Sequence, residues 1–204
     1  MHKKVHIIDC GLGNIRSVRN AFVSLGCDAI ICHGPQQLAE SEYVILPGVG
    51  AFGDGIERLR LSKFDQAIAD AAKSGKRLLG ICLGMQLLFD TSYEFGEHEG
   101  LRLIPGEVHK MKVEESQLRL PHIGWNDTFL KRKDDLLDCL NNPSCYYYIN
   151  SYSCVCEDQY TLAEYEYGNR YAAIVRKDNI IGVQFHPEKS QKDGMKLLMN
   201  YLKI

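Results

Sequence analysis

Three side chains in this 204-residue sequence have the types and spacing for acyl transfer onto sulfur. Cys82 lies in Gly80-Ile81-Cys82-Leu83-Gly84, where an apolar run that reads as a buried strand changes to helical spacing at Leu83, Leu87 and Leu88. The flanking glycines let the backbone turn sharply and present the side chain, the thiol counterpart of a nucleophile elbow. Unpaired N–H groups at the start of the following helix favour thiolate over thiol. The N–H of Leu83 can also face an oxyanion on an attacked carbonyl. A free cysteine is more often a small buried filler, so the chemistry depends on its partners.

A nucleophilic thiol needs a base, and the base needs an orienter. Of seven histidines, His186 is the best placed, because Val183-Gln184-Phe185-His186-Pro187-Glu188 ends a buried strand and carries its own carboxylate. Pro187 disfavours helix at His186, so residues 186 and 188 are expected on one side of an extended segment. That gives triad logic in the chain order Cys, His, Glu. His122 follows Pro121 in a loop with no thiol signature nearby, and His2, His6, His33, His98 and His109 lack an adjacent orienter. A second oxyanion donor is expected from Pro47-Gly48-Val49-Gly50, where glycines on both sides of Val49 let a peptide rotate its N–H inward. Removing one such donor typically costs about 3 to 4 kcal/mol of transition-state stabilisation.

The elements that must hold these groups alternate strand and helix. Residues 4–9 read as a strand, 15–25 as a helix stopped by Gly26, 29–32 and 43–46 as strands, and 54–74 as two helices before the Cys82 strand. Gly11-Leu12-Gly13 lacks the third glycine and the distal acid of a dinucleotide site. Beyond residue 100 the texture is β-like at 107–113 and 124–130, with a charged helical piece at 131–140. Strands follow at 146–152, 160–167, 171–176 and 180–185, the last three an antiparallel meander, and a closing helix starts at Ser190. The expectation is one α/β domain over residues 1–204, a mostly parallel central sheet flanked by helices with a smaller antiparallel section, and ligands at the C-terminal ends of the parallel strands.

Composition narrows the function classes. A net charge of −2 leaves no electrostatic footprint for nucleic acid or an anionic membrane. No stretch approaches the roughly 20 apolar residues of a membrane span, and the N-terminal apolar run is too short for an export signal. A cytoplasmic protein with its eight cysteines reduced is expected. Cys154-x-Cys156 has no His or Cys pair beside it at zinc-site spacing, so no metal or cofactor is expected.

Assembled, these motifs resemble the class I, triad-type glutamine amidotransferases, and within them the glutaminase subunits of imidazole glycerol phosphate synthase. The likeness runs through Ile8-Asp9 to Ser17, Leu46-Pro-Gly-Val-Gly-Ala-Phe52, Gly80-Ile-Cys-Leu-Gly-Met-Gln86, Gly100 to Gly106, Pro121-His-Ile-Gly-Trp-Asn126 and Gln184-Phe-His-Pro-Glu-Lys-Ser190. It implies that Cys82 attacks the side-chain amide of L-glutamine to give a thioester and ammonia, with His186 as acid then base and Glu188 as its orienter. It implies oxyanion N–H groups at Val49 and Leu83, and substrate contacts at Gly50, Gln86, Glu94, Ser151 and Tyr152. Since the glutaminase fills the chain, it also implies a partner in trans: a (β/α)8-barrel cyclase, forming a heterodimer, that takes the ammonia to make imidazole glycerol phosphate and AICAR in histidine biosynthesis. Asn14, His122 and Trp125 match positions turned toward that partner.

Three departures concern docking and gating: Cys10 stands where the family commonly has Tyr, Tyr93 where it often has Glu, and Asn150 where it often has His. They leave open a paralogue supplying ammonia to another pathway, such as amidination of a surface sugar. A stand-alone thiol hydrolase and a non-catalytic glutamine sensor are the readings from other classes.

Overall fold

The computed structural model describes residues 3–113 and 118–204; His2 lies outside the described residues. In chain order the first half is β1 (Lys4–Ile8), α1 (Ile15–Ser24), β2 (Asp28–Cys32), β3 (Tyr43–Gly48), α2 (Phe52–Leu61), α3 (Phe64–Lys73), β4 (Arg77–Cys82) and the short α4 (Leu83–Leu87). The second half holds β5 (Thr91–Ser92), β6 (His98–Glu99), β7 (Glu107–Lys110), β8 (His122–Leu130), β9 (Ser144–Asn150), β10 (Tyr152–Val155), β11 (Thr161–Tyr167), β12 (Asn169–Lys177), β13 (Ile180–Val183) and α5 (Gln191–Tyr201).

Strand alternation sorts the apolar residues into two layers. Tyr43, Ile45, Leu79 and Ile81 pack on one side with Val18 and Phe22 of α1 and Leu197 and Tyr201 of α5. Val44, Leu46 and Leu78 pack on the other with Phe52, Ile56 and Leu59 of α2 and Phe64 and Ile68 of α3. Every residue of β3 is buried, as parallel strands covered on both faces require. Each large apolar side chain buried in this way contributes about 1.5 to 3 kcal/mol.

The main sheet has nine strands in the order β2-β1-β3-β4-β13-β12-β11-β8-β9. Its first five are parallel and the pairs from β13 to β9 are antiparallel. The antiparallel meander β11-β12-β13, as expected from the sequence, continues the main sheet. The smaller sheet is β10-β7-β5-β6, and it is mixed rather than wholly antiparallel.

Two further expectations are corrected. Residues 131–140 do not form a helix; only Asp135–Leu137 makes one 3-10 turn, capped by Asp134 accepting from the Leu136 N–H at 2.9 Å. Leu136 and Leu137 are both buried. The strand expected over 146–152 breaks at Ser151, because β9 pairs with β8 in the large sheet whereas β10 pairs with β7 in the small one. That crossing puts residues 149–152 at the end of β4, beside Cys82.

Candidate active site

The end of β4 is shaped by close backbone packing. A Cβ on Gly84 would stand 1.8 Å from the Leu46 carbonyl oxygen, and one on Gly80 would stand 2.6 Å from that of Gly84. Only glycine at both places lets α4 start directly against β3 and β4. Cys82, caught between them, takes φ 56° and ψ −112°, a backbone state that costs a non-glycine residue about 1 to 3 kcal/mol. The side chain is buried, with Sγ 3.9 Å from the Ile149 carbonyl oxygen and 4.0 Å from Gln184 Nε2.

His186 reaches this sulfur from the extension of β13. Its N–H donates to the Tyr147 carbonyl at 2.9 Å, and the Ser190 hydroxyl donates to its carbonyl at 2.6 Å, so both backbone ends of the residue are fixed. The extended course expected for residues 186–188 is not what forms: Pro187–Lys189 is a 3-10 turn. The turn folds Glu188 back, and Oε1 lies 2.8 Å from His186 Nδ1. With a carboxylate at Nδ1, the network assigns the proton there and turns Nε2 toward the thiol.

Burial of the ring opposes its protonation, but hydrogen bonding with Cys82 and Glu188 and the charge of both outweigh it, and His186 is pushed up to about 10. The sulfur is thus close enough to act on the ring, although no bond of complete hydrogen-bond geometry joins Nε2 to a partner. Asn14, at φ 56° where α1 begins, donates its amide N–H to the same Glu188 oxygen that His186 faces. Its side chain therefore lies against the His186–Glu188 pair.

In front of the thiol lies a cavity of about 420 Å³ lined by Val49, Gly50, Cys82, Leu83, Gln86, Glu94, Ser151 and Tyr152, together with Pro121, Ile149, Asn150 and Lys189. All five residues expected at the substrate line it. Gln86 Nε2 donates to the Tyr152 carbonyl and to Gln184 Oε1, both at 3.1 Å. Glu94 accepts from the Phe52 N–H at 2.6 Å, at the start of α2. Burial pushes its carboxyl up, against the pull of that bond. A cavity of this volume with a carboxylate and amides on its wall suits a small zwitterion.

The two expected oxyanion donors differ. Leu83 opens α4, where the first N–H groups of a helix lack intrahelical partners. The Val49 N–H donates instead to the Leu12 carbonyl at 3.0 Å, turned away from the sulfur. Gly50 beside it has φ 107°.

The remaining expected residues split. Trp125 is exposed on the outer face of β8, its edge against Tyr147. His122 is buried and stacks on Tyr148, Tyr165 and Tyr167. Burial lowers it to about 4. Asn150 donates to the Tyr152 carbonyl and the Tyr165 hydroxyl at 3.0 and 2.9 Å. Sequence reasoning missed Gln184, Ile149 and Lys189. Gln184 had a signal, since it precedes His186 by two residues on a strand; the other two come from chain crossings that no local pattern records.

Among the described residues no group of three or more His, Cys, Asp or Glu is arranged to hold a metal ion. No helix among them is long and apolar enough to cross a membrane.

Comparison with known proteins agrees with this geometry. Residues 6–203 match the family "Glutamine amidotransferase class-I". An imidazole glycerol phosphate synthase subunit HisH from Sulfurimonas denitrificans is 45% identical over 203 residues, covering 98% of this chain and 97% of its own. The subunit of the same name from Aquifex aeolicus is 41% identical over 197 residues, covering 96% and 94%. Among solved structures, PurLQS from Thermotoga maritima superposes with a TM-score of 0.79 at 22% identity, over 100% of this chain and 99% of the other. A glutamine amidotransferase from Thermotoga maritima does so at 0.71 and 16%, over 100% and 97%. These last two likenesses concern the fold alone. From the elbow, the triad geometry and full-length relatives well above 30% identity, it follows that this chain belongs to the class I glutamine amidotransferases, among the HisH subunits of imidazole glycerol phosphate synthase.

Proposed function

We propose that residues 1–204 form one glutaminase domain that hydrolyses L-glutamine at Cys82 and passes the ammonia to a (β/α)8-barrel cyclase partner in a heterodimer. The meeting of Cys82, on the wall of an amino-acid-sized cavity, with the buried His186–Glu188 pair carries this reading. Sγ attacks the side-chain carbonyl carbon of glutamine, and the electron pair of that carbonyl moves onto oxygen, which the Leu83 N–H faces. Collapse of the tetrahedral adduct breaks the C–N bond, and His186 gives its proton to the leaving nitrogen. The neutral imidazole then takes a proton from water, whose oxygen displaces sulfur and releases glutamate. Glu188, steadied by Asn14, keeps the ring facing the sulfur through both halves.

The partner's place is supported by an exposed apolar face on the β8–β9 hairpin, where Ile123 and Trp125 pair across the ladder with Ile149 and Tyr147. Ile149 belongs both to this face and to the cavity wall. A partner seated there adjoins the thiol, and the Val49 peptide becomes an oxyanion donor once its N–H leaves Leu12. Ammonia released here then serves imidazole glycerol phosphate formation in histidine biosynthesis. Eight free thiols suit a reducing cytoplasm.

The test uses the complex with the cyclase. Cys82→Ala is expected to abolish product formation driven by glutamine and to leave formation driven by ammonium salts unchanged. Retention of glutamine-driven synthesis would remove Cys82 from the mechanism. Trp125→Ala should weaken partner binding by about 2 kcal/mol, as a buried aromatic anchor does, and unchanged affinity would place the interface elsewhere.

A further inference from the structure

Gln184 is fully buried, yet the acyl-transfer steps give it no part. Its backbone is held to β12 by the N–H donated to Ala173 at 2.9 Å. Its side chain lies between the two halves of the site: Nε2 is 4.0 Å from the Cys82 sulfur, and Oε1 accepts from Gln86 Nε2 at 3.1 Å. The direction of this chain of amides is determined. The Tyr152 carbonyl can only accept, so the end of Gln86 beside it is the NH2 group. That same NH2 group donates to Gln184, which fixes the Gln184 oxygen toward Gln86 and its N–H toward sulfur.

We propose that Gln184 is a positioning residue: a neutral amide, oriented by Gln86 and Tyr152, that aims a non-titrating N–H at the Cys82 sulfur and so couples the substrate wall to the nucleophile. At 4.0 Å the contact is long for a resting thiol. Ionisation shortens it, since an N–H bond to an anion is tighter than one to a neutral acceptor. His186 approaches the sulfur from the same segment two residues on, so the anion lies between a charged donor and a neutral one. The N–H keeps its aim while His186 gives up and regains its proton, which no second titrating group could do. The catalytic consequence rests on glutamine hydrolysis at Cys82; the effect on the sulfur does not.

The test reads the sulfur directly. The whole chain is alkylated with iodoacetamide across pH, and modification of Cys82 is followed by mass spectrometry of its peptide. Gln184→Met keeps the volume and loses both bonds; Gln184→Glu keeps an acceptor for Gln86 and loses the N–H. Both are expected to raise the pH midpoint of Cys82 alkylation by about one unit, a tenfold loss of thiolate below the midpoint, as the loss of a hydrogen bond to a charged group predicts. In the complex, Gln184→Met should also raise KM for glutamine, whereas Gln184→Glu should lower kcat with KM held within about twofold. A purely structural role would lower the melting temperature and leave the midpoint in place, and an unmoved midpoint in folded protein would overturn the proposal. Gln86→Leu reads the same coupling from the substrate wall: freed from its orienter, Gln184 should let the midpoint rise, and a parent-like midpoint in folded protein would also overturn it. Absence of glutamine turnover in the parent would sink the hydrolase reading while leaving the midpoint comparison decisive for Gln184.

Discussion

Two strand ends meet at the cavity, and they are built in opposite ways. At the end of β4, Cys82 is buried, strained and locked between glycines whose Cα atoms touch neighbouring backbone. At the end of β3, Val49 and Gly50 are exposed, and a Cβ on Gly50 would meet nothing within 4 Å. One hydrogen bond, from Val49 to Leu12, holds the second turn in its present direction. The turn bearing the thiol is therefore assembled by the fold itself, whereas the Val49 peptide beside it is held by that one hydrogen bond. Such a division keeps the costly strain where packing over-determines it. In the proposed mechanism it leaves the direction of the Val49 N–H to be set by the partner.

The contrast is broken first by filling the tight end. Gly84→Ala places a methyl on a carbonyl oxygen that cannot move without parting α4 from β3. The expected loss is about 3 kcal/mol or more, which for a chain of this size lowers the melting temperature by about 10 °C. Glutamine turnover should vanish with it. A stable, active variant would show that the elbow is not held by backbone contact.

Smaller effects come from two buried histidines that titrate in opposite senses. His186, at the rigid end, is raised from 6.5 to about 10. The folded chain holds a proton there that the unfolded chain has released, so this stabilisation is complete below about 6.5 and is lost as pH rises toward 10. His122, on the edge hairpin that bears the exposed face, is lowered from 6.5 to about 4 by burial. Here the unfolded chain binds the proton, so its stability is complete above about 6.5 and falls as pH drops toward 4. Each slope is at most about 1.4 kcal/mol per pH unit. Denaturant midpoints across pH measure them: His186→Gln should flatten the alkaline limb alone, and His122→Phe, which keeps the ring stack, the acid limb alone. Crossed effects would place the charges wrongly.

What the sequence disclosed follows the same line. The elbow was legible because its causes are local: a buried run, two glycines and a helical period within one stretch. The strand-helix alternation of residues 4–88 was legible for the same reason. The pairing of His186 with Glu188 was anticipated through a wrong local geometry, since the proximity of two residues in sequence survives a change from extended chain to 3-10 turn. Residues 131–140 misled because charged residues with scattered leucines satisfy a helical pattern without forming one. The direction of the Val49 N–H and the place of Asn14 behind Glu188 depend on partners 37 and 174 residues away in the chain, and local periodicity carries no record of them. Membership of a family supplied the names of the cavity residues, but only the fold shows that β9 and β10 part at Ser151 to bring them to the sulfur.

The gentlest test addresses the loose end. Gly50→Ala adds a methyl into open space, so packing does not oppose it; the only cost is backbone, because φ 107° is a region L residues rarely adopt. Stability should fall by about 1 kcal/mol, roughly 3 °C in melting temperature, against about 10 °C at Gly84. The alkylation rate of Cys82 should stay at the parent value, because the elbow does not lean on this turn. The change should appear instead in glutamine turnover by the complex, where the proposed mechanism has the turn rotate to present the Val49 N–H. A loss of stability equal to that of Gly84→Ala, or a changed thiol reactivity, would mean that the two strand ends are one rigid unit and that the oxyanion donor is not separately set.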